Sequence, residues 1–200
     1  MADRARIFRP MTAEQFFAFR GEEGVRYELV GGVPVRAVTG ASRRHDLILV
    51  NALTSLHAQF RGKPCRASTD DIAIVVPNGN VRRPDVSVDC GGLDDRDQQA
   101  RDPRLAIEVL SASTRGIDLV RKLEEYKAVP SLADMLLVEP EAPRALLWRR
   151  EEEAAAWSLE ELAGLEGGFD LPAIGARLAM AELYDRVTFE PAEGGEAPAV

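Results

Sequence analysis

Two short stretches decide the fold of this chain: Pro84–Cys90, with the sequence Pro-Asp-Val-Ser-Val-Asp-Cys, and Arg104–Leu110, with the sequence Arg-Leu-Ala-Ile-Glu-Val-Leu. The first alternates polar and apolar residues, so a strand there places Val86 and Val88 on one face and Asp85 on the other. A glycine pair, an acidic run and a proline separate the two stretches, as is typical of a hairpin loop. The sequence therefore predicts an antiparallel pair of strands.

In this pair Asp85 and Glu108 become near-opposite neighbours, with Cβ atoms roughly 5 to 6 Å apart. Glu108 shares its strand face with Ala106 and Leu110, where an unpaired ionised group is costly. Two such carboxylates repel each other and call for a positive charge. A divalent cation such as Mg²⁺ fits, because it takes carboxylate oxygens as ligands. The alternative is that Asp85 caps a turn and Glu108 pairs with an arginine.

A helix is predicted next, from about Ile117 to Ala128, because a proline follows shortly after. On this helix Asp118, Lys122 and Tyr126 are spaced four residues apart and form one polar row. Only a short loop separates it from the strand of Glu108, so Lys122 can lean back over the strand ends. A surface salt bridge from Lys122 to Asp118 or Glu125 is the alternative.

Together these motifs resemble the putative restriction endonuclease domain family of the PD-(D/E)XK nuclease superfamily. The residues that carry the resemblance are Tyr27–Gly32, His45, Pro84-Asp85, Glu108–Thr114, Asp118, Lys122 and Tyr126. The resemblance covers most of the chain. It implies an α/β fold with a mixed central β-sheet of roughly six to eight strands flanked by helices. It also implies a Mg²⁺- or Mn²⁺-dependent endonuclease that hydrolyses phosphodiester bonds in DNA.

In the family pattern Asp85 and Glu108 bind the metal ion, and we expect the carbonyl of Val109 to join them. The usual lysine two residues after the glutamate is replaced by Leu110. The family is thought to have moved this lysine to the following helix, which here implies Lys122. A second departure is Ala112, where a proline is common.

Two further residues have both a structural and a functional interpretation. Glu28 precedes a Gly31-Gly32 hairpin turn and either pairs with Arg26 or Arg36 or adds an acidic group near the metal ion. His45 lies near the start of the main predicted helix. It is either a core histidine or a contact to a phosphate or a metal-bound water.

The net charge of −8 and the pI of about 4.9 show that the chain is acidic. A protein that holds nucleic acid by bulk electrostatics is expected to be basic. Arg83 and Arg115 flank the predicted site and are candidate substrate-binding residues, so DNA binding is expected to be weak or transient. The acidic charge favours an alternative, a non-catalytic binding or regulatory module with a nuclease fold. A metal-free acid/base enzyme that uses protonated Glu108 is a third hypothesis.

With 200 residues, the chain is predicted to form a single domain over residues 11–189, between a flexible arm (1–10) and a disordered acidic tail (190–200). No apolar run approaches the length of a membrane span and no secretory signal is apparent, so a cytoplasmic protein without a membrane partner is expected. Cys65 and Cys90 are interpreted as buried thiols on strands. A homodimer is the default, because cutting two strands is most simply done by two sites.

Overall fold

The computed structural model of the chain describes residues 9–37, 42–92, 94–111 and 117–189. Its α-helices are α1 (Ala13–Ala18), α2 (Arg43–Gln59), α3 (Ile117–Lys127) and α4 (Met180–Leu183). Its strands are β1 (Tyr27–Val30), β2 (Val33–Arg36), β3 (Arg66–Thr69), β4 (Ile74–Val75), β5 (Val81–Arg82), β6 (Val86–Asp89), β7 (Pro103–Val109), β8 (Asp134–Glu139), β9 (Arg144–Arg149), β10 (Ser158–Ala163), β11 (Gly168–Leu171) and β12 (Ala176–Ala179). None of the helices in these ranges combines the length and apolar character needed to cross a bilayer.

The largest sheet has six strands in the order β10-β9-β8-β7-β6-β3. Strands β7 and β8 are parallel and the other neighbours are antiparallel, so the sheet is mixed. Helix α3 lies in the crossover between β7 and β8, which a parallel pair requires. The predicted α/β class with a mixed central sheet is therefore confirmed.

Different helices cover the two faces of this sheet. Ile107 of β7 belongs to the main core, together with Ile48 and Leu56 of α2. Its neighbour Ala106 belongs to a second core, together with Tyr126 of α3. Because successive side chains of a strand point to opposite faces, α2 and α3 lie on opposite sides of the sheet.

The hairpin that the sequence predicts is present. Strands β6 and β7 are antiparallel, with Val86 opposite Ile107 and Val88 opposite Leu105. The register shifts between Val88 and Asp89, at the loop end of the pair and away from the predicted site. The sequence pattern therefore identified both strands, and the loop centred between them identified Asp85 and Glu108 as near-opposite residues.

A second sheet of four strands has the order β2-β1-β5-β4. Strands β1 and β2 form the predicted hairpin, and its two turn residues, Gly31 and Gly32, have φ angles of 58° and 76°. Strand β5 pairs with β1, with Leu29 opposite Val81. Strand β5 belongs to this second sheet, whereas β6, which follows it closely in the chain, belongs to the first.

Cys65 and Cys90 form a disulfide, so their interpretation as buried thiols on strands is wrong. They lie immediately outside β3 and β6, whose antiparallel register pairs Arg66 with Asp89. Continued by one residue, that register places the two cysteines opposite each other. The individual strands were predictable, but their pairing was not assigned from the sequence.

The terminal segments of the domain prediction lie mostly outside the described residues. These are residues 1–8 of the predicted arm and all of the predicted tail, residues 190–200. The described part begins with Arg9 and Pro10, both exposed, and the backbone N–H of Met11 donates to the Gly32 carbonyl at 2.8 Å. Helix α1 then starts with a capping box between Thr12 and Gln15.

Candidate active site

Asp85 and Glu108 lie at the same end of the β6–β7 pair. Because Val86 is opposite Ile107, the same register places Asp85 opposite Glu108. Asp85 precedes the first residue of β6, and its Oδ2 accepts a hydrogen bond of 2.7 Å from the backbone N–H of Val109. The Asp85 carboxylate is therefore held beside the end of β7, next to Glu108.

Glu108 is a buried acid, with 8% of its surface exposed. Its Oε1 accepts a hydrogen bond of 2.8 Å from the Tyr126 hydroxyl and lies 3.4 Å from Lys122 Nζ. Burial raises the pKa of Glu108 to about 7 against the opposing charge of Lys122, and the nearby carboxylates of Asp85 and Glu28 act in the same direction as burial. An added cation would favour the ionised form of this group.

Lys122 bridges two acids from different sheets. Its Nζ lies 3.2 Å from Glu28 Oε1 and 3.4 Å from Glu108 Oε1, and the residue is buried. Burial alone would lower the pKa of Lys122, but Glu108 and Glu28 outweigh it and raise that pKa above its ordinary value. Lys122 is therefore an ammonium ion at neutral pH. Its predicted lean over the strand ends is observed, and the alternative pairing with Glu125 is not.

Glu28 pairs with neither of the arginines that the sequence offered. Its Oε2 lies 2.8 Å from Nη1 of Arg82, and its Oε1 accepts the backbone N–H of Arg83 at 3.0 Å. With Lys122 as a third partner, both oxygens of Glu28 have donors. Arg26 and Arg36 form ion pairs elsewhere.

Arg82 links this cluster to Glu125, and sequence reasoning missed both residues. Arg82 is 1% exposed, and its Nε donates to Glu125 Oε2 at 2.5 Å. Although burial acts to lower the pKa of Arg82, its two carboxylate partners raise that pKa above the ordinary value. Local sequence carried no signal for this pairing, because a charged residue next to Val81 on a strand can equally face solvent.

Glu125 is itself held by several donors. Its Oε1 accepts from Asn80 at 2.7 Å, from Asn78 at 3.3 Å and from Arg121 at 3.1 Å. The side-chain Oδ1 of Asn80 also accepts the backbone N–H of Gly31 at 2.7 Å. The turn between β1 and β2 is thereby joined to α3 through this network.

His45 lies at the other side of Asp85. Its Nε2 is 3.4 Å from Asp85 Oδ2, and its backbone N–H donates to the side chain of Ser42, the N-cap of α2, at 3.3 Å. The hydrogen bond with Asp85 is the largest cause that raises the pKa of His45, and a hydrogen bond to the Val109 backbone adds to it. The structure therefore places His45 next to Asp85, one of the predicted metal ligands.

The two arginines predicted to bind substrate have different outcomes. The Arg83 guanidinium donates to the backbone carbonyls of Tyr27, Asp70 and Asp71 at 3.1, 2.8 and 2.8 Å. It is thus engaged in holding loops together, close to Glu28. Arg115 lies outside the described residues, and so does the side chain of Asp118.

The donor set fits a hard divalent cation that keeps part of its water shell. The carboxylates of Asp85 and Glu108 and the carbonyl of Val109 are all oxygen donors, which Mg²⁺ and Mn²⁺ prefer. Over the described ranges, no group of three or more His, Cys, Asp or Glu side chains is arranged to hold a metal ion. Mg²⁺ commonly binds through one or two carboxylates and keeps several waters, so a two-carboxylate site matches its usual chemistry.

The chain is similar to a protein family, to a relative and to a solved structure. The family model "Uma2: Putative restriction endonuclease" matches residues 13–181. An uncharacterized protein of Synechocystis sp. (strain ATCC 27184 / PCC 6803 / Kazusa) is 28% identical over 187 residues, which cover 91% of this chain and 95% of that protein. The crystal structure of a putative nuclease belonging to DUF820 from Anabaena variabilis ATCC 29413 superposes with a TM-score of 0.69 and 16% identity, over 90% of this chain and 100% of that chain. The latter similarity shows that the fold is shared.

Proposed function

This chain belongs to the Uma2 family, described as putative restriction endonucleases, and from this membership we propose that it is a metal-dependent endonuclease that hydrolyses phosphodiester bonds in DNA. The observation that carries the proposal is the convergence of Asp85, Glu108 and Lys122 at one end of the β6–β7 pair. Glu108 and Lys122 are buried and Asp85 is partly buried. Charged groups withdrawn from water in this way are costly for stability alone, which favours a chemical role.

In this proposal Asp85, Glu108 and the Val109 carbonyl hold Mg²⁺ or Mn²⁺. When bound, the cation supplies Lewis-acid polarisation of a phosphoryl oxygen and neutralises its charge. The hydrogen bond from the Val109 N–H keeps one oxygen of Asp85 at the end of β7, and the Tyr126 hydroxyl fixes Glu108. Both carboxylates are therefore preorganised before any ligand arrives.

Lys122 acts as a charged hydrogen-bond donor in this proposal. Its raised pKa keeps it protonated, so it cannot accept a proton from water as a general base. As an ammonium ion it can orient the attacking water or stabilise the charge that develops on the phosphoryl group.

Glu28 is proposed to position Lys122. Because its oxygens already accept from Arg82, the Arg83 N–H and Lys122, it has little capacity left for the metal shell. The buried Arg82 fixes Glu28 from the other side. A shift of Lys122 by about 1 Å can cost about 10²-fold in rate, which gives such a positioning network a catalytic consequence.

A plasmid-cleavage assay in Mg²⁺ and in Mn²⁺ tests the proposal. We expect Asp85→Asn, Glu108→Gln and Lys122→Met each to lower the rate by about 10² to 10³. The matched controls are Glu166→Gln and Lys63→Met, both at exposed positions, which should cleave as the natural chain does. Unchanged cleavage by Asp85→Asn and Lys122→Met, with folded protein verified by circular dichroism, would rule the proposal out.

The net charge of −8 favours a second candidate, a nuclease-fold module that binds without turnover. Calorimetry with Mn²⁺ separates the two functions. A titration with heat that Asp85→Asn abolishes supports the endonuclease, whereas a silent titration together with no cleavage supports the module.

The remaining parts of the proposal concern partners and location. We propose a homodimer that binds DNA weakly or transiently in the cytoplasm. The acidic charge supports transient binding, because bulk electrostatics oppose a long-lived complex. Light scattering at several protein concentrations tests the dimer, and a single species at 21.9 kDa would exclude it.

A further inference from the structure

A cavity between α1 and the start of β1 is lined by aromatic rings and arginines. Its volume is about 570 Å³, within the range of about 300 to 1,000 Å³ typical of small-ligand pockets. The lining residues that matter here are Phe17, Phe19, Tyr27, Arg20, Arg26 and Arg83. No part of the mechanism proposed above uses it.

The aromatic rings of the cavity are arranged so that a flat heterocycle can contact two of them. Phe19 and Tyr27 are perpendicular, with centroids 5.5 Å apart. Gly21 permits this arrangement, because a Cβ there would lie only 2.5 Å from the Tyr27 ring. Phe17 is only partly buried, so it retains surface for contact with a ligand. A planar ring can therefore lie against one aromatic side chain and edge-on to another.

The charge of the cavity wall is more positive than that of the chain as a whole. Its two acids are already paired, Asp71 with Arg26 and Asp97 with Arg101. Arg20 is exposed and has no ion pair among the residues that the structure describes. An anionic ligand that carries an aromatic ring would match both the rings and this charge.

Strand β1 and Arg83 connect the cavity to Glu28. Tyr27, which lines the cavity, directly precedes Glu28. Arg83 also joins the two places, because its backbone N–H donates to Glu28 at 3.0 Å while its side chain lines the cavity and donates to the Tyr27 carbonyl at 3.1 Å. The side chains of Tyr27 and Glu28 point to opposite faces of β1, so Arg83 is the residue that links the cavity to the carboxylate side of this strand.

We propose that the cavity binds an unpaired nucleobase of a DNA strand, so that the preferred substrate has single-stranded character. This inference rests on the proposed endonuclease function. A base inside a duplex is stacked and paired, and placing it in the cavity requires taking it out of the stack. A base that is already unpaired avoids this cost, and aromatic stacking is tolerant of base identity.

Fluorescence anisotropy tests the inference in excess chelator, which prevents metal-dependent cleavage. The probes are a labelled single-stranded oligonucleotide of mixed sequence and the same oligonucleotide as a blunt duplex. We expect the natural chain to bind the single strand more tightly. Phe17→Leu, which keeps an apolar side chain but removes the ring, should weaken single-strand binding about tenfold.

Two further variants make the result specific. Arg20→Gln changes only an exposed side chain and should weaken single-strand binding while lowering the slope of log affinity against log salt by about 1. Trp157→Leu removes a partly buried aromatic residue that also stacks with an arginine, Arg150, but lies outside the cavity, and should bind as the natural chain does. Thermal melts confirm that each variant is folded.

The outcomes separate this inference from the proposed function. Equal affinity for duplex and single strand, or unchanged binding by both Phe17→Leu and Arg20→Gln, overturns the base-binding cavity even if the chain cleaves DNA through Asp85 and Lys122. Ring-dependent binding of single strands by a chain that never cleaves DNA keeps the cavity and overturns the endonuclease.

Discussion

The two faces of strand β7 differ sharply in what they contribute. Towards α2, the strand presents Leu105, Ile107 and Val109, none more than 3% exposed, to an apolar core. Towards α3, Glu108 is almost as well buried, yet it meets the ammonium of Lys122. The same strand thus has a dry apolar side and a charged side at a similar depth.

The two faces of β7 therefore have different roles, because one stabilises the fold and the other holds the candidate catalytic groups. Burial of apolar surface contributes roughly 25 cal/mol per Å², so the α2 side stabilises the sheet. Replacing a buried ion pair by apolar residues is often neutral or stabilising, so charges on the α3 side are weak evidence for a stabilising role. The rigid backbone built by the first face allows the second face to hold Glu108 and Lys122 in a fixed arrangement.

The largest expected effect on stability comes from removing the charge of Arg82. Arg82→Met leaves Glu28 and Glu125 without their shared buried cation, and we expect a loss of about 3 to 5 kcal/mol in the free energy of unfolding. Urea denaturation measures it. Arg96→Met at an exposed position serves as the control and should change stability by less than about 0.5 kcal/mol. A loss at Arg82 as small as that of the control would mean that the charged side is not a coupled network.

A substitution on the apolar side of β7 should lower the stability of the fold but leave the affinity for the metal ion nearly unchanged. Ile107→Ala removes a fully buried side chain from the main core, at an expected cost of about 2 to 5 kcal/mol. The affinity for Mn²⁺, measured by calorimetry at a temperature where the variant is folded, should stay within about twofold of the natural value. A large loss of affinity would show that the two faces are not separable.

Sequence reasoning succeeded where a periodic pattern fixes geometry. The alternation around Val86 and Val88 and the loop between the two strands predicted that Asp85 lies near-opposite Glu108, and the short connection to the following helix predicted that Lys122 reaches the strand ends. It failed where partners come from strands that are far apart in the sequence. The pairing of Arg82 with Glu28 depends on β1 and β5 being neighbours, and local sequence carries no signal for that neighbour relation.

The same limit explains the missed disulfide. Cys65 and Cys90 follow from the pairing of β3 with β6, a contact between segments 25 residues apart. The local choice for Glu28 between Arg26 and Arg36 was wrong for a related reason. Those arginines pair with other acids, Arg26 with Asp70 and Asp71, and Arg36 with Glu22.

The charged side should also make stability depend on pH. The pKa of Glu108 is raised by burial to about 7, whereas the unfolded chain ionises near the ordinary value of 4.5. The folded state therefore binds more protons between these two values, and stability falls as pH rises through this window, by about 1.4 kcal/mol per unit at most. Urea denaturation at several pH values measures the slope. Glu108→Gln should flatten it, whereas an unchanged slope would assign it to other groups.

The smallest effect gives the sharpest comparison, because it uses one gentle change on each face. Tyr126→Phe removes the hydroxyl that donates to Glu108 at 2.8 Å, and Ile107→Val removes one methylene from the apolar side. The first should cost about 1 kcal/mol at pH 5, where Glu108 is protonated, and about 1.5 to 3 kcal/mol at pH 8, where the acceptor is charged. The second should cost about 0.5 to 1.5 kcal/mol at both pH values, because no charge is involved. If the cost of Tyr126→Phe is equally independent of pH, Glu108 does not change its ionisation in this range. The two faces of β7 then differ in shape and not in charge.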